Sequence, residues 1–250
     1  MTARIEIIRG LALGGAETLL YQRLRSETEL RLLDPRQVVV INTAPSDRAH
    51  FTEALSQLGA SVTTLRHRGV LSGAPELLGL IRESWPGTPV VLHSPGPGIA
   101  LKAARALGNL SNPIIEVAHS TQYRAAYQGL GQVLNRFADA CIAVSDDVAQ
   151  ARTTAGFPFR TVIHGGVDKA RMRRWIVEDG VAGAERLRRG LGIPVDAQVV
   201  VAVGNLVKLK GHESLVRSFA RVHATIPDAH LLIVGSGPEQ ASLMALAEGL

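Results

Sequence analysis

Short runs rich in Val and Ile, most of them continuously apolar, recur along the chain, separated by stretches long enough for a helix and closed by Gly, Pro, Ser or Asn. This rhythm constrains the fold more than any other feature. The runs are Arg4–Ile8, Val38–Ile41, Ser61–Leu65, Val90–His93, Ile114–Ala118, Ala140–Val144 and Thr161–Ile163, followed after a gap by Val199–Val203 and His230–Val234. A strand with one face in water alternates apolar and polar residues, whereas a strand covered by helices on both faces does not. The pattern therefore predicts an α/β protein with a Rossmann-like parallel sheet.

The rhythm breaks over Asp168–Asp196, a segment dense in Arg, Glu and Asp, which places a domain boundary near its start. Residues 1–168 read as one Rossmann-like domain and 169–250 as a linker with a second one. The basic clusters Arg171–Arg174 and Arg186–Arg189 fit a solvated helix face. After Asp196 come one strand, a helix around Glu213–Thr225, a second strand and a last helix ending at Leu250. Two strands leave a sheet with unpaired edges, so this second domain is expected to be cut short.

Composition narrows the function. A hydrophobic fraction of 46% over 250 residues supplies a full-sized core, and the aromatic fraction of 4% provides no stacking platform for nucleic acid. The net charge of +5 suits anionic partners such as nucleotide phosphates or lipid head groups. The single cysteine, Cys141, lies inside an apolar run, which removes internal disulfides and cysteine-based zinc sites and predicts a small buried residue. The first residues carry no basic segment followed by a long apolar one, and no run approaches the ~20 residues of a membrane span. A cytoplasmic location is expected, with Arg124 and its neighbours available for peripheral membrane contact.

Open α/β sheets bind ligands beyond the carboxyl ends of their strands, so the residues just after each apolar run are the candidates. The first run leads into Arg9-Gly10-Leu11-Ala12-Leu13-Gly14-Gly15-Ala16-Glu17, where Gly14 and Gly15 open a helix whose amides suit a phosphate. His119 follows the fifth run, at an address where an imidazole can donate a hydrogen bond or carry charge near neutral pH. His93 has a similar address, but the Pro95-Gly-Pro-Gly sequence after it reads as rigid loop. Ser145-Asp146-Asp147 reads as a helix cap, and His164–Asp168 as a glycine-rich interdomain bend. The eighth run ends in Gly204-Asn205-Leu206-Val207-Lys208-Leu209-Lys210-Gly211, whose lysines can clamp a diphosphate, and the ninth in Gly235-Ser236-Gly237.

There is no GxxxxGK[ST] loop, HExxH pair, GxSxG elbow or GxGxxG fingerprint after the first strand. Taken in order, the motifs resemble the retaining GT-B glycosyltransferases of family 4, also called group 1. The most specific part is Val201–Gly211 followed by Pro227–Glu239, with Gly14-Gly15-Ala16-Glu17, His119, Val144-Ser145 and Val167-Asp168 in support.

The resemblance implies a nucleotide-sugar donor, a sugar or lipid-linked acceptor, and transfer with retention of anomeric configuration, without a metal or other cofactor. It implies that Lys210 contacts the donor diphosphate, that Gly15 belongs to the loop closing on it, and that His119 lies near the donor sugar as the catalytic-site histidine. Gly14, Gly204, Asn205 and Gly235 fall in the same donor and phosphate-binding loops. Fixed cations and helix amides would then stabilise charge growing on the leaving diphosphate. Leu250 precedes the segment in which the family carries its glutamate pair. Two alternatives stand beside this reading: a catalytically incomplete binding or interaction module, and a related sugar-nucleotide-binding Rossmann enzyme.

Overall fold

The computed structural model describes residues 3–11, 14–43, 50–67, 70–121, 123 and 125–250. Ala12 and Leu13 of the glycine loop, and Arg124, lie outside the described residues. Two compact units form, Met1–Val167 and Asp168–Leu250.

In the first unit, strands and helices alternate. They are β1 (Arg4–Ile8), α1 (Gly15–Glu29), β2 (Val38–Asn42), α2 (His50–Leu58), β3 (Ser61–Thr64), α3 (Val70–Ser84), β4 (Val90–Leu92), α4 (Pro95–Ala106), β5 (Ile114–Ala118), α5 (Ala125–Leu134), β6 (Ala140–Ala143), α6 (Asp146–Gln150) and β7 (Arg160–Val162). The seven strands form one sheet in the order β3-β2-β1-β4-β5-β6-β7. Every pairing is parallel, with Ile5 opposite both Val39 and Val90.

The continuous apolar runs are explained by burial on both faces. Ile5, Ile7, Val39 and Ile41 pack with Leu77, Ile81 and Leu101 on one side. Ile8, Val38 and Val40 pack with Leu20, Leu24, Phe51 and Leu55 on the other. Burying a side chain of this size stabilises the fold by about 1.5–3 kcal/mol. Cys141 is fully buried, and loss of water pushes its thiol up to about 12, with the nearby Glu116 charge adding to the effect.

Two local readings are resolved by the geometry. Ser145 does cap α6, its side chain accepting from the Val148 amide at 3.3 Å, with Asp146 and Asp147 in the first turn. The Pro95–Gly98 stretch, expected as rigid loop, instead forms the first turn of α4. Proline at the first helical position has no amide to satisfy and a φ already suited to a helix. A Cβ at Gly98 would come within 3.2 Å of both Glu116 Oε2 and Leu92 Cδ1, so these side chains would have to give by a few tenths of an ångström to admit one.

The second unit contains α7 (Lys169–Gly190), β8 (Val199–Val203), α8 (His212–Thr225), β9 (His230–Val234) and α9 (Gln240–Glu248). The charged segment is one 22-residue helix, capped by Asp168 accepting from the Arg171 amide at 2.8 Å, and no residue of it is buried. Strands β8 and β9 pair in parallel, and a small core of Leu206, Val216 and Leu243 holds the two following helices against them. Among the described residues, no helix is long and apolar enough to cross a membrane.

Candidate functional site

The sheet order of the first unit creates a switch point between β1 and β4. The chain leaves β1 toward β2 on one side and leaves β4 toward β5 on the other. Loops diverge at such a point and leave a crevice outside the strand ends. The loops after β1 and β4 are tied across it by the Arg9 amide donating to Ser94 Oγ at 3.0 Å.

Three titratable side chains converge beside this crevice. Glu6, in the middle of β1, is fully buried. Its Oε2 lies 2.8 Å from His93 Nε2, and His93 Nδ1 lies 3.2 Å from His119 Nε2. Its other oxygen, Oε1, faces Arg4 Nε at 2.6 Å and is hydrogen-bonded by Arg23 of α1. Burial alone would raise the Glu6 carboxyl; the His93 bond and the Arg23, His93 and Arg4 charges outweigh it and hold the group at about 2 against an ordinary 4.5. The carboxylate is therefore ionised at every pH at which the protein would work.

His119 follows β5 and is partly buried. Its pKa falls to about 4, chiefly through burial and then through the His93 and Arg23 charges. Of the two roles open to it, the shift disfavours carrying charge near neutral pH and leaves hydrogen bonding by the imidazole. His93, ranked below it from sequence, is the more deeply buried of the two and is the link between His119 and Glu6. The signal for the network was Glu6 itself, a carboxylate inside an otherwise apolar run.

Gly14 is the N-cap of α1 and Gly15 its first residue. Glu17 folds back over this end: a Cβ on Gly14 would lie 2.4 Å from Glu17 Oε2, while one on Gly15 meets nothing within 4 Å. Burial raises the Glu17 carboxyl, an effect partly offset by a bond from its own amide and by the His93 charge.

In the second unit, Lys208–Lys210 form a 3-10 turn that ends at Gly211, with φ of 69°, the N-cap of α8. Both lysines are exposed. His212, the first residue of α8, is 7% exposed, and its Nε2 has no hydrogen-bond partner. Gly204 and Gly235 bring the loops after β8 and β9 together. The Gly204 amide donates to the Val234 carbonyl at 3.0 Å, and a Cβ on Gly235 would lie 1.9 Å from the Gly204 oxygen. Asn205 is exposed between these loops and the 3-10 turn. Gly235 also borders a cavity of about 570 Å³ lined mainly by apolar side chains of α8, β9 and α9.

Of the residues singled out from sequence, Gly14, Gly15 and His119 thus lie in the first unit at strand ends, and Gly204, Asn205, Lys210 and Gly235 in the second. Among the described residues, no group of three or more His, Cys, Asp or Glu is placed to hold a metal ion.

A doubly wound parallel sheet with polar groups at its strand ends defines a Rossmann-like architecture. Residues 14–171 match the family model described as Glycosyltransferase Family 4, and residues 183–250 match Glycosyl transferases group 1. The chain belongs to glycosyltransferase family 4. One similar protein is the GDP-mannose-dependent monoacylated alpha-(1-6)-phosphatidylinositol monomannoside mannosyltransferase of Corynebacterium glutamicum. It is 39% identical over 82 residues, which is 33% of this chain and 20% of that protein. The GDP-mannose-dependent alpha-(1-6)-phosphatidylinositol monomannoside mannosyltransferase of Mycolicibacterium smegmatis is 40% identical over 65 residues, 26% of this chain and 16% of that one. The matched segments thus span a fifth or less of these curated relatives.

The fold is shared with the lipopolysaccharide outer core galactosyltransferase WaaB in its apo form, at a TM-score of 0.57 and 15% identity, over 98% of this chain and 64% of that one. It is shared also with the alpha,alpha-trehalose 6-phosphate synthase of Burkholderia multivorans, at 0.65 and 16%, over 100% and 68%.

Proposed function

We propose that the chain belongs to a glycosyltransferase that moves a sugar from a nucleoside diphosphate donor to a sugar or lipid-linked acceptor with retention of configuration. The observation that carries this reading is the start of α8. Two exposed lysines precede a helix N-terminus whose first side chain, His212, holds a buried ring nitrogen without a partner. Helix amides, flexible ammonium groups and an unpaired imidazole nitrogen together suit a diphosphate. In the reaction they stabilise charge that grows on the leaving group as the bond to the sugar breaks.

In this reading Lys210 contacts the diphosphate, with Gly204, Asn205 and Gly235 shaping the loops around it. His119 contacts the donor sugar, and Gly14 and Gly15 let backbone approach the donor closely. The GDP-mannose donors and phosphatidylinositol-based acceptors named for the bacterial relatives favour a GDP-sugar and an acceptor at a membrane surface. The reading places the protein on the cytoplasmic side, in peripheral contact with that membrane.

Isothermal titration of the chain with UDP, GDP and their sugar conjugates tests the reading. Micromolar binding that weakens roughly tenfold in Lys210→Ala, the value of one charge-assisted contact, supports it. No binding to any of these nucleotides overturns it.

A further inference from the structure

We propose that α7 is an amphipathic docking helix that lies flat on an anionic lipid surface. This rests on the peripheral membrane contact of the transferase reading, and names the segment that makes it and the lipid chemistry that receives it.

Helix α7, Lys169–Gly190, has no buried residue. A helix that only meets water is polar all round, and α7 is not. Met172, Ile176, Gly180, Gly183 and Leu187, with Leu191 just past the end, follow one another at steps of three or four residues and form a row along one side. Trp175 stands beside Met172 in the same row. Its five large side chains, Met172, Trp175, Ile176, Leu187 and Leu191, are each more than half exposed. Val177 and Val181 face away from it. Glycine is the poorest helix former after proline, so a helix with Gly180 and Gly183 in its middle gains from a surface that covers the row.

Charge is concentrated on the same element. It carries seven basic and three acidic side chains, and so holds four of the chain's five net positive charges. Lys169, Arg173 and Arg186 stand beside the apolar row. Of the three acids only Asp179 does, and it is paired with Arg186. Glu178 and Glu185 point to the opposite side.

This charge selects the occupant. A second copy would bring a helix of the same sign against the first, and like charges disfavour that pairing. An acidic protein would have to supply a groove shaped to a narrow row on a convex rod. A bilayer needs no such groove: anionic head groups meet the basic side chains, and the acyl boundary takes Met172, Trp175 and Ile176. A tryptophan at that boundary buries its ring and keeps its N–H in the head-group layer.

The test uses the chain's own fluorescence. Of its two tryptophans, Trp85 packs against the core of the first unit and Trp175 is exposed, so in Trp85→Phe the emission reports α7 alone. Vesicles of equal phosphatidylglycerol and phosphatidylcholine should shift that emission to the blue, and phosphatidylcholine alone should not. Added salt should weaken the effect. Sedimentation of the unaltered chain with the same vesicles gives a second reading if Trp85→Phe does not fold. In that assay Lys169→Gln, Arg171→Gln and Arg173→Gln together should lower partition about a hundredfold, and Trp175→Ser about tenfold. Val181→Ser, on the opposite side, should leave it within about twofold.

Equal partition into both kinds of vesicle overturns the proposal, as does full partition in the basic or the Trp175 variant. So does a Trp175 emission that vesicles leave unchanged, the outcome expected if a protein covers the row. A blue shift that appears without lipid and grows with protein concentration assigns the row to a second copy and overturns it too. Titration with GDP and UDP separates the two readings. Partition without nucleotide binding overturns the transferase reading and leaves the docking helix supported, while nucleotide binding without partition does the reverse.

Discussion

Lys102 Nζ lies 2.7 Å from Glu116 Oε2 and 2.7 Å from Asn135 Oδ1, and all three side chains are buried between α4 and β5. Asn135 in turn donates to the carbonyls of Thr153 and Ala155, and the Lys102 ammonium lies 5.1 Å from the Phe157 ring centre. The cluster thus ties α4 to the turn before β6 and to the segment before β7.

Removing one member of such a pair leaves a charge without a partner and out of reach of water. Lys102→Met should lower unfolding free energy by about 3–5 kcal/mol. Adding Glu116→Leu to it should recover a large part of the loss, because the stranded carboxylate is then gone. Urea unfolding of the single and double variants measures both, and a double variant no better than the single would refute the account.

Stability should fall on acidification in two stages. His119 is at about 4 in the folded chain, below the ~6.5 of free imidazole. The unfolded state therefore binds this proton first, and the His119 contribution is present above pH ~6.5 and lost as pH drops toward 4. Glu6, at about 2 against 4.5, has the same sign: its contribution is present above pH 4.5 and lost on the way to 2. Urea midpoints at pH 7.5, 5.5 and 4 should decline in that order. His119→Asn should flatten the upper part of the curve, and an unchanged slope in that variant would count against the shift.

Gly15 and Gly235 should respond oppositely to an added methyl. A Cβ on Gly15 has open space, so Gly15→Ala should leave the melting temperature within a degree or two. Any loss of nucleotide binding in that variant would then report close approach of a ligand to the backbone. A Cβ on Gly235 would collide with the Gly204 carbonyl, and Gly235→Ala should cost about 1–3 kcal/mol as two loops separate. Thermal melts of the two proteins, run together, check the contrast.

Cys141 should be silent toward thiol reagents in the native state. Its sulfur is fully buried in β6, and its thiol is held far above neutral pH. Ellman's reagent should give no fast phase with the native protein and one equivalent in denaturant. A fast native reaction would contradict the burial.

Much of the fold was legible from sequence, in the first unit because burial of most strands on both faces writes itself into composition. Arg4–Ile8, Ile114–Ala118, Val199–Val203 and His230–Val234 coincide with strands, and the remaining strands differ by a residue or so at their ends. Terminal residues depend on which neighbour closes the ladder, which local pattern does not encode. Pro95–Gly98 was misread because proline and glycine mark a loop by composition, while Pro at a helix start and Gly facing Glu116 follow from packing. The addresses of His93 and His119 could be read from strand ends, but their coupling could not. Glu6 and His93 are 87 residues apart, and only the β1–β4 pairing makes them neighbours.

That pairing orders events during synthesis. The side of β1 that pairs with β4 stays open until residues 90–92 leave the ribosome, although β1 to β3 can pair as they emerge. Until then the nascent chain carries the Glu6 carboxylate in β1 with one of its partners not yet made. Closure of the sheet and assembly of the histidine pair are therefore one late event, and a pause in translation between residues 64 and 92 would hold the chain in an unfinished, aggregation-prone form.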